Sequence, residues 1–109
     1  MGLYLDDFSQ EELLGFAEKA YGPAKFDTPA AAPVVKTEDG AYVMELWHGP
    51  TCAFKDMALQ MLPYLLTASL RKTGEQKTVC ILVATSGDTG KAALEGFRDV
   101  EHTKILVFY

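Results

Sequence analysis

The sequence has little of what metal sites, disulfide frameworks and nucleic-acid binding require. It contains two cysteines, Cys52 and Cys80, and two histidines, His48 and His102. Because zinc sites and disulfide frameworks need more numerous or closely spaced ligands, neither is predicted, and no metal ligands are assigned. Acidic side chains outnumber basic ones by 15 to 10, and the resulting net charge of −5 disfavours nucleic acid or an anionic membrane as a partner.

Membrane-spanning runs and secretory signals are also missing. The apolar stretch at residues 61–70 is too short for a bilayer, and the first residues lack a basic and an apolar region. Reduced thiols and the missing signal predict a cytoplasmic protein. Hydrophobic side chains make up 49% of the 109 residues, which is enough for the core of one small domain.

The first half of the chain predicts a helix and a β-hairpin. Ser9 and Glu12 have the spacing of a capping box, and the helical pattern after them ends at Gly22. Residues 34–47 alternate as a hairpin does, with Asp39 and Gly40 at the turn. We divide one partial domain, 1–109, into helix and connection (1–33), hairpin (34–47) and a third segment (48–109).

That third segment predicts a helix followed by a βαβ unit. The helix covers residues 55–72, with a kink or break expected at Pro63. The βαβ unit has continuous apolar strands at 78–85 and 104–109, each predicted to be covered on both faces. The fold class is therefore α/β with an incomplete parallel sheet. Its exposed edges predict self-association, and suggest a chain cut at its C-terminus.

Ser86 to Gly90, which read Ser-Gly-Asp-Thr-Gly, follow the first of these strands and precede a helix. Glycines allow close approach of a ligand, and free amides at a helix N-terminus attract carboxylates and phosphates. The alternative is an ordinary capped turn. Spacing alone does not decide between them.

Lys55 opens the helix that begins at about that residue, directly after the apolar side chains of Ala53 and Phe54. An amine in such surroundings could act as a nucleophile. The alternative is a solvated lysine beside Asp56, and the chemistry of the residues alone favours that alternative.

Two sequence strings favour the nucleophilic lysine over the solvated one. Residues 45–56 read Glu-Leu-Trp-His-Gly-Pro-Thr-Cys-Ala-Phe-Lys-Asp, and residues 83–90 read Val-Ala-Thr-Ser-Gly-Asp-Thr-Gly. In this order and spacing they resemble the threonine synthase family, which belongs to the fold-type II pyridoxal-phosphate enzymes. The resemblance extends over about Phe8 to Tyr109, as an N-terminal fragment of a larger enzyme.

The resemblance implies pyridoxal phosphate as cofactor and Lys55 as the catalytic residue that bonds to it. It implies further cofactor contacts from Phe54 and Asp88. It also implies substrate contacts from Thr85, Ser86, Gly87, Asp88, Thr89 and Gly90. The implied reaction converts O-phosphohomoserine and water into threonine and phosphate. The family's cofactor-phosphate loop and ring-nitrogen partner would lie outside this chain, so the 109 residues alone are expected to be inactive.

Three other functions remain open at this point. The first is a threonine-synthase-like phospho-lyase that acts on a related substrate. The second is a non-catalytic α/β module that kept the family's sequence strings. The third, a nucleotide-phosphate binder built on Ser86 to Gly90, is disfavoured because the Walker lysine is missing.

Overall fold

The computed structural model describes residues 1–85 and 87–109, and it confirms the α/β class. Four helices and four strands follow one another in these residues, in the order α1 Gln10–Tyr21, β1 Val34–Lys36, β2 Tyr42–Met44, α2 Asp56–Leu59, α3 Leu62–Thr73, β3 Val79–Ala84, α4 Asp88–Gly96 and β4 Thr103–Phe108. No helix in this described part of the chain is long and apolar enough to cross a membrane.

Helix α1 begins with the predicted capping box. The Glu12 amide donates to Ser9 Oγ at 3.1 Å, and the Ser9 amide donates to a Glu12 carboxylate oxygen at 2.8 Å. These two bonds satisfy donors that a helix start otherwise leaves free. The helix ends at Tyr21 with Gly22 as its C-cap, as the sequence predicts.

The predicted hairpin is present with short strands. Strands β1 and β2 pair antiparallel, with Val35 opposite Val43. Gly40 lies in the turn with φ +88°, a backbone conformation that glycine adopts without steric cost. The Thr37 amide donates to the Ala41 carbonyl at 2.9 Å and closes the loop. The turn residues predicted from the sequence are therefore the ones that reverse the chain.

Pro63 breaks the predicted long helix into α2 and α3. It occupies the first turn of α3, where a residue without an amide hydrogen removes no helix hydrogen bond. Helix α3 then continues to Thr73 and ends at Gly74, which has φ +69°. The expectation of a break at this proline is confirmed.

Strands β3 and β4 form a parallel pair joined through α4. Their register runs from Val79 opposite Thr103 to Ala84 opposite Phe108. Helix α4 begins at Asp88, three residues before the predicted start at Lys91. Part of the sequence predicted as a loop therefore forms the first helical turn.

The expectation that both faces of these strands are covered is wrong for this chain. Alternate side chains of β3 and β4 are half-buried on the side that α4 packs against. The other face leaves Leu82, Leu106 and Phe108 exposed by 66%, 52% and 60%. The continuous apolar pattern describes what the strands can bury, while the described residues supply a covering layer on one face only.

The core joins α1 to α3. Phe8, Leu13 and Ala68 are buried together, and Leu5, Phe16 and Leu65 pack around them. A second contact joins α2 to α4, where a Cβ on Gly96 would lie 2.2 Å from the Leu59 carbonyl oxygen. Only glycine allows these two helices to approach so closely. These contacts hold the segment before α2 and the start of α4 in one framework.

Candidate functional site

Asp56, the first residue of α2, is fully buried and anchors the loop that precedes it. Its carboxylate accepts hydrogen bonds from the Thr51 amide at 2.8 Å and from Thr51 Oγ1 at 2.7 Å. Gly49 packs directly on it, since a Cβ at that position would lie 2.6 Å from Asp56 Oδ2. A buried carboxylate needs such donors, because burial without them is costly. The pair Thr51 and Asp56 therefore holds residues 49–56 in one conformation.

Lys55 is the N-cap residue of α2 and lies next to this anchor. Its backbone is helical, with φ −62° and ψ −21°, and the side chain is partly buried. The amine Nζ stands 4.8 Å from the centre of the Phe54 ring. Within residues 1–85 and 87–109 the Lys55 amine makes no ion pair or hydrogen bond. The backbone of Lys55 is thus anchored while its amine remains available.

Lys55 and Asp56 make no ion pair with each other, and the alternative of a solvated lysine beside Asp56 stays open on this geometry. Asp56 is shut away from solvent and satisfied by Thr51 rather than by the lysine. The Phe54 ring is 56% exposed, so it offers an open apolar surface beside the amine. This arrangement suits a lysine that attacks a ligand more than one that balances a neighbouring charge.

His48 joins the hairpin to the connection after α1. Its Nδ1 lies 2.6 Å from Asp27 Oδ1 and its Nε2 lies 2.7 Å from Glu45 Oε2. The hydrogen bond with Glu45, and then the one with Asp27, raises the pKa of His48 above its ordinary value. A charged imidazole donates from both nitrogens, so it can satisfy both carboxylates. His48 therefore links two acidic side chains that lie far apart in the sequence.

The predicted anion site lies at the start of α4. The Thr85 amide donates to the Phe108 carbonyl at 2.9 Å, which extends the β3–β4 pairing by one residue. Ser86 lies outside the described residues. Gly87 is the N-cap of α4, and a Cβ added there would meet nothing within 4 Å. The backbone at this helix start is therefore open to a ligand.

The first turn of α4 holds the other predicted residues. The amides of Asp88 and Thr89 have no hydrogen-bond acceptor within the described part of the chain. The Asp88 carboxylate is exposed and lies 4.0 Å from Lys91 Nζ. Gly90 packs on the sheet, because a Cβ there would lie 2.9 Å from Thr85 Cγ2 and 3.0 Å from Val107 Cγ1. The amides and the positive dipole end at the start of a helix can hold a carboxylate or a phosphate.

Lys55 and the start of α4 offer different chemical groups to pyridoxal phosphate and its substrate. Lys55 supplies an amine without a partner in the described part of the chain, and the start of α4 supplies backbone donors for an anion. The two parts are connected through the close contact of α2 with α4 at Leu59 and Gly96. Among the described residues, no hydrogen bond joins Lys55 to the start of α4. The donor chemistry therefore fits the cofactor and an anionic substrate.

Sequence reasoning missed the anchor at Thr51 and Asp56 and the carboxylates around His48. A signal for the anchor existed in the sequence, because Gly49 is small enough to pack on Asp56 and Thr51, five positions before Asp56, supplies hydrogen-bond donors. No local signal pointed to Asp27 as a partner of His48, because 21 residues separate them.

Several threonine synthases are similar to this chain in sequence and in fold. The threonine synthase of Corynebacterium glutamicum is 39% identical over 107 residues, which cover 98% of this chain. The crystal structure of a pyridoxal-phosphate-bound threonine synthase from Brucella melitensis superposes with a TM-score of 0.78 at 39% identity, over 89% of the chain. The yeast threonine synthase structure gives a TM-score of 0.82 at 32% identity, over 95% of the chain. The chain belongs to the threonine synthase family.

The match to threonine synthases covers only part of their length. This chain spans 22% of the Corynebacterium protein, 20% of the Brucella structure and 22% of the yeast structure. A protein named threonine synthase-like 2 from Xenopus laevis is also 38% identical over 94% of the chain, which covers 21% of that protein. No protein-family model matches the chain. The resemblance predicted from residues 45–56 and 83–90 is confirmed, as a segment of about one fifth of a threonine synthase.

Proposed function

We propose that this chain provides the cofactor lysine, Lys55, of a pyridoxal-phosphate-dependent threonine synthase. The observation that carries the proposal is the contrast between Lys55 and Asp56. Asp56 is fully buried and anchored by Thr51, while the adjacent amine has no ion-pair or hydrogen-bond partner among residues 1–85 and 87–109 and lies beside an exposed aromatic ring. Family membership and the pyridoxal phosphate bound to the Brucella relative support the choice of cofactor.

The proposed reaction is the conversion of O-phosphohomoserine and water into threonine and phosphate, a carbon–oxygen lyase reaction. When bound, pyridoxal phosphate would supply a ring that stores the electron pair released from a substrate carbon. Lys55 would attach the cofactor through its amine and afterwards carry protons between substrate carbons as a general acid and base. Its anchored backbone would keep the amine within reach of those carbons.

The start of α4 would hold the substrate. The amides of Asp88 and Thr89, with the hydroxyls of Thr85, Ser86 and Thr89, would bind the substrate carboxylate. Gly87 and Gly90 would let the backbone approach it, and the N-terminal end of α4 would favour its negative charge. Asp88 would also lie near the ring hydroxyl of the cofactor, and Phe54 would pack beside it.

A trapping experiment tests the role of Lys55 in the 109-residue chain. The chain is mixed with pyridoxal phosphate, reduced with borohydride and digested, and the labelled lysine is identified by mass spectrometry. We expect the label to concentrate on Lys55, to vanish from that peptide in Lys55→Ala and to persist there in Lys104→Ala, which changes an exposed lysine of β4. Labelling spread over the lysines according to their exposure would refute the assignment.

We further propose that the 109 residues bind the cofactor weakly and do not turn over substrate alone. Dialysis before reduction should remove the cofactor, and neither threonine nor phosphate should form from O-phosphohomoserine. A visible cofactor band that survives dialysis, and is lost in Lys55→Ala, would contradict this.

A second candidate is a phospho-lyase that acts on a related substrate, which the Xenopus threonine synthase-like relative favours. An assay of the full-length protein that contains this segment separates the two, if threonine and phosphate are both measured. Phosphate and threonine in equal amounts support the synthase. Phosphate without threonine supports the second candidate, and neither product would indicate a non-catalytic α/β module.

A further inference from the structure

Three consecutive residues, Lys25, Phe26 and Asp27, lie in the connection between α1 and the hairpin. The amides of Lys25 and Phe26 both donate to the Gly22 carbonyl, at 2.9 and 3.0 Å, so a turn fixes this part of the chain. We call residues 25–27 the linking segment. Each of its side chains connects to a different part of the candidate site, directly or through one further residue.

Asp27 connects the linking segment to the loop at residues 49–56. Its carboxylate oxygen Oδ1 lies 2.6 Å from His48 Nδ1, and its amide donates to the His48 carbonyl at 3.1 Å. His48 directly precedes Gly49, which packs on the buried carboxylate of Asp56. Because the two bonds hold both the side chain and the backbone of His48, Asp27 fixes the point at which this loop begins.

Phe26 connects the linking segment to α2. Its side chain is buried, and its ring meets that of Tyr21 edge to face with centres 5.6 Å apart. The Tyr21 hydroxyl donates to the Met57 carbonyl at 2.6 Å. Tyr21 is the last residue of α1, so this bond ties the end of α1 to the helix that Lys55 opens.

Lys25 connects the linking segment to α4. Its Nζ lies 3.5 Å from Glu95 Oε1, and the two side chains are partly buried. Glu95 lies in the last turn of α4, and the predicted anion site lies at the first turn. Since α4 is a single helix of nine residues, a contact near its end also restrains its start.

We propose that the linking segment positions Lys55 relative to the start of α4. This inference rests on the proposed roles of Lys55 and of that helix start. Lys25, Phe26 and Asp27 are positioning residues, because they act through Glu95, Tyr21 and His48. Such positioning has a chemical purpose, since a displacement of about 1 Å between reacting groups can lower a rate about a hundredfold.

Amide hydrogen exchange of the 109-residue chain, followed by NMR without cofactor, tests the link at Asp27. Asp27→Ala removes the partner of His48 at a side chain that is 73% exposed. We expect exchange of the Thr51 amide, which donates to Asp56, to accelerate about tenfold or more, because a hydrogen bond to a charged group is lost. Asp27→Glu keeps a carboxylate and should restore most of the protection. Asp6→Ala, which changes another exposed aspartate, should leave it unchanged.

Amides of α3 show whether the effect is confined to the candidate site. Their exchange should stay unchanged in Asp27→Ala, because α3 lies in the core with α1. Equal acceleration at Thr51 and throughout α3 would show a loss of overall stability only, and would overturn the proposal. Unchanged exchange at Thr51 would overturn it as well.

Lys25→Gln tests the link from the side of α4. We expect it to accelerate exchange of both the Lys91 amide, which donates to the Gly87 carbonyl, and the Thr51 amide, by about two- to fivefold, as for the loss of a partly exposed ion pair. Lys19→Gln, which changes an exposed lysine in the last turn of α1, should accelerate neither. Acceleration at Lys91 without acceleration at Thr51 would refute the link.

Two checks keep these outcomes decisive. Circular dichroism shows whether each variant is folded, and Lys25→Gln decides the matter if Asp27→Ala is not. Exchange is measured without cofactor, so a failure of the linking segment is distinguishable from a failure of the trapping experiment at Lys55.

Discussion

Replacing Gly49 with alanine tests the anchor beneath the proposed cofactor lysine. An alanine Cβ would stand 2.6 Å from both Cβ and Oδ2 of Asp56, closer than real Cβ contacts. Asp56 would have to move, and its carboxylate is fully buried and bonded to Thr51 at 2.7 and 2.8 Å. The substitution should therefore break at least one of these bonds without exposing the carboxylate to water.

The expected cost follows from two contributions. Overpacking a filled interior costs about 1–3 kcal/mol, and a hydrogen bond to a charged group contributes about 1.5–3 kcal/mol. With one bond to Thr51 lost, Gly49→Ala should lower the free energy of unfolding by roughly 2.5–6 kcal/mol. Because small domains have about 5–15 kcal/mol in total, this is a large share of the stability.

Urea unfolding followed by the fluorescence of Trp47 measures this change. Trp47 is the single tryptophan, and its ring stacks on that of His48 with centres 5.6 Å apart, close to the anchor. Gly15→Ala is the matched control, because a Cβ there meets nothing within 4 Å and the residue lies inside α1. The control should gain about 0.5–1 kcal/mol. A loss below about 1 kcal/mol in Gly49→Ala would refute the argument.

Three further predictions concern packing, pH and association. Gly96→Ala should destabilise the chain in the same urea series, because its Cβ would stand 2.2 Å from the Leu59 carbonyl oxygen; unchanged stability would contradict the close contact of α2 and α4. Because the pKa of His48 is raised in the folded chain, its charged imidazole stabilises the fold at pH values below the ordinary pKa of about 6.5. This stabilisation is lost as the pH rises through the raised pKa. The urea midpoint should fall over that window in the wild type and in His102→Asn, but not in His48→Gln; a fall in His48→Gln would point to another group. We also propose that the exposed sheet face drives self-association, so Leu106→Lys should sediment as a smaller species, and identical sedimentation would refute this.

Local signals in the sequence predicted the elements well. The capping box at Ser9, the turn at Gly40 and the helix break at Pro63 each depend on backbone chemistry within a few residues. Such features act at short range, so they are readable without knowledge of the rest of the fold. The start of α4 was placed three residues late, because Asp88 and Gly90 are also common in turns.

Contacts between distant segments could not be predicted in the same way. The pairing of His48 with Asp27 spans 21 residues, and the contact of Gly96 with Leu59 spans more. The predicted coverage of both sheet faces failed for a related reason. An apolar strand pattern shows which side chains can be buried, and it does not show which segments lie over them.

A sequence motif predicts some features of the candidate site and not others. The sequence strings predict that Lys55 and the start of α4 act together, and membership of the threonine synthase family is consistent with that prediction. They do not explain why the string around Lys55 also contains Gly49 and Thr51, to which the resemblance assigns no role. The structure supplies the reason, because both residues contact the buried carboxylate of Asp56. The segment 49–56 is therefore best understood as an anchored backbone that carries the Lys55 amine. Its glycine and threonine should be as sensitive to substitution as the lysine, through stability rather than chemistry.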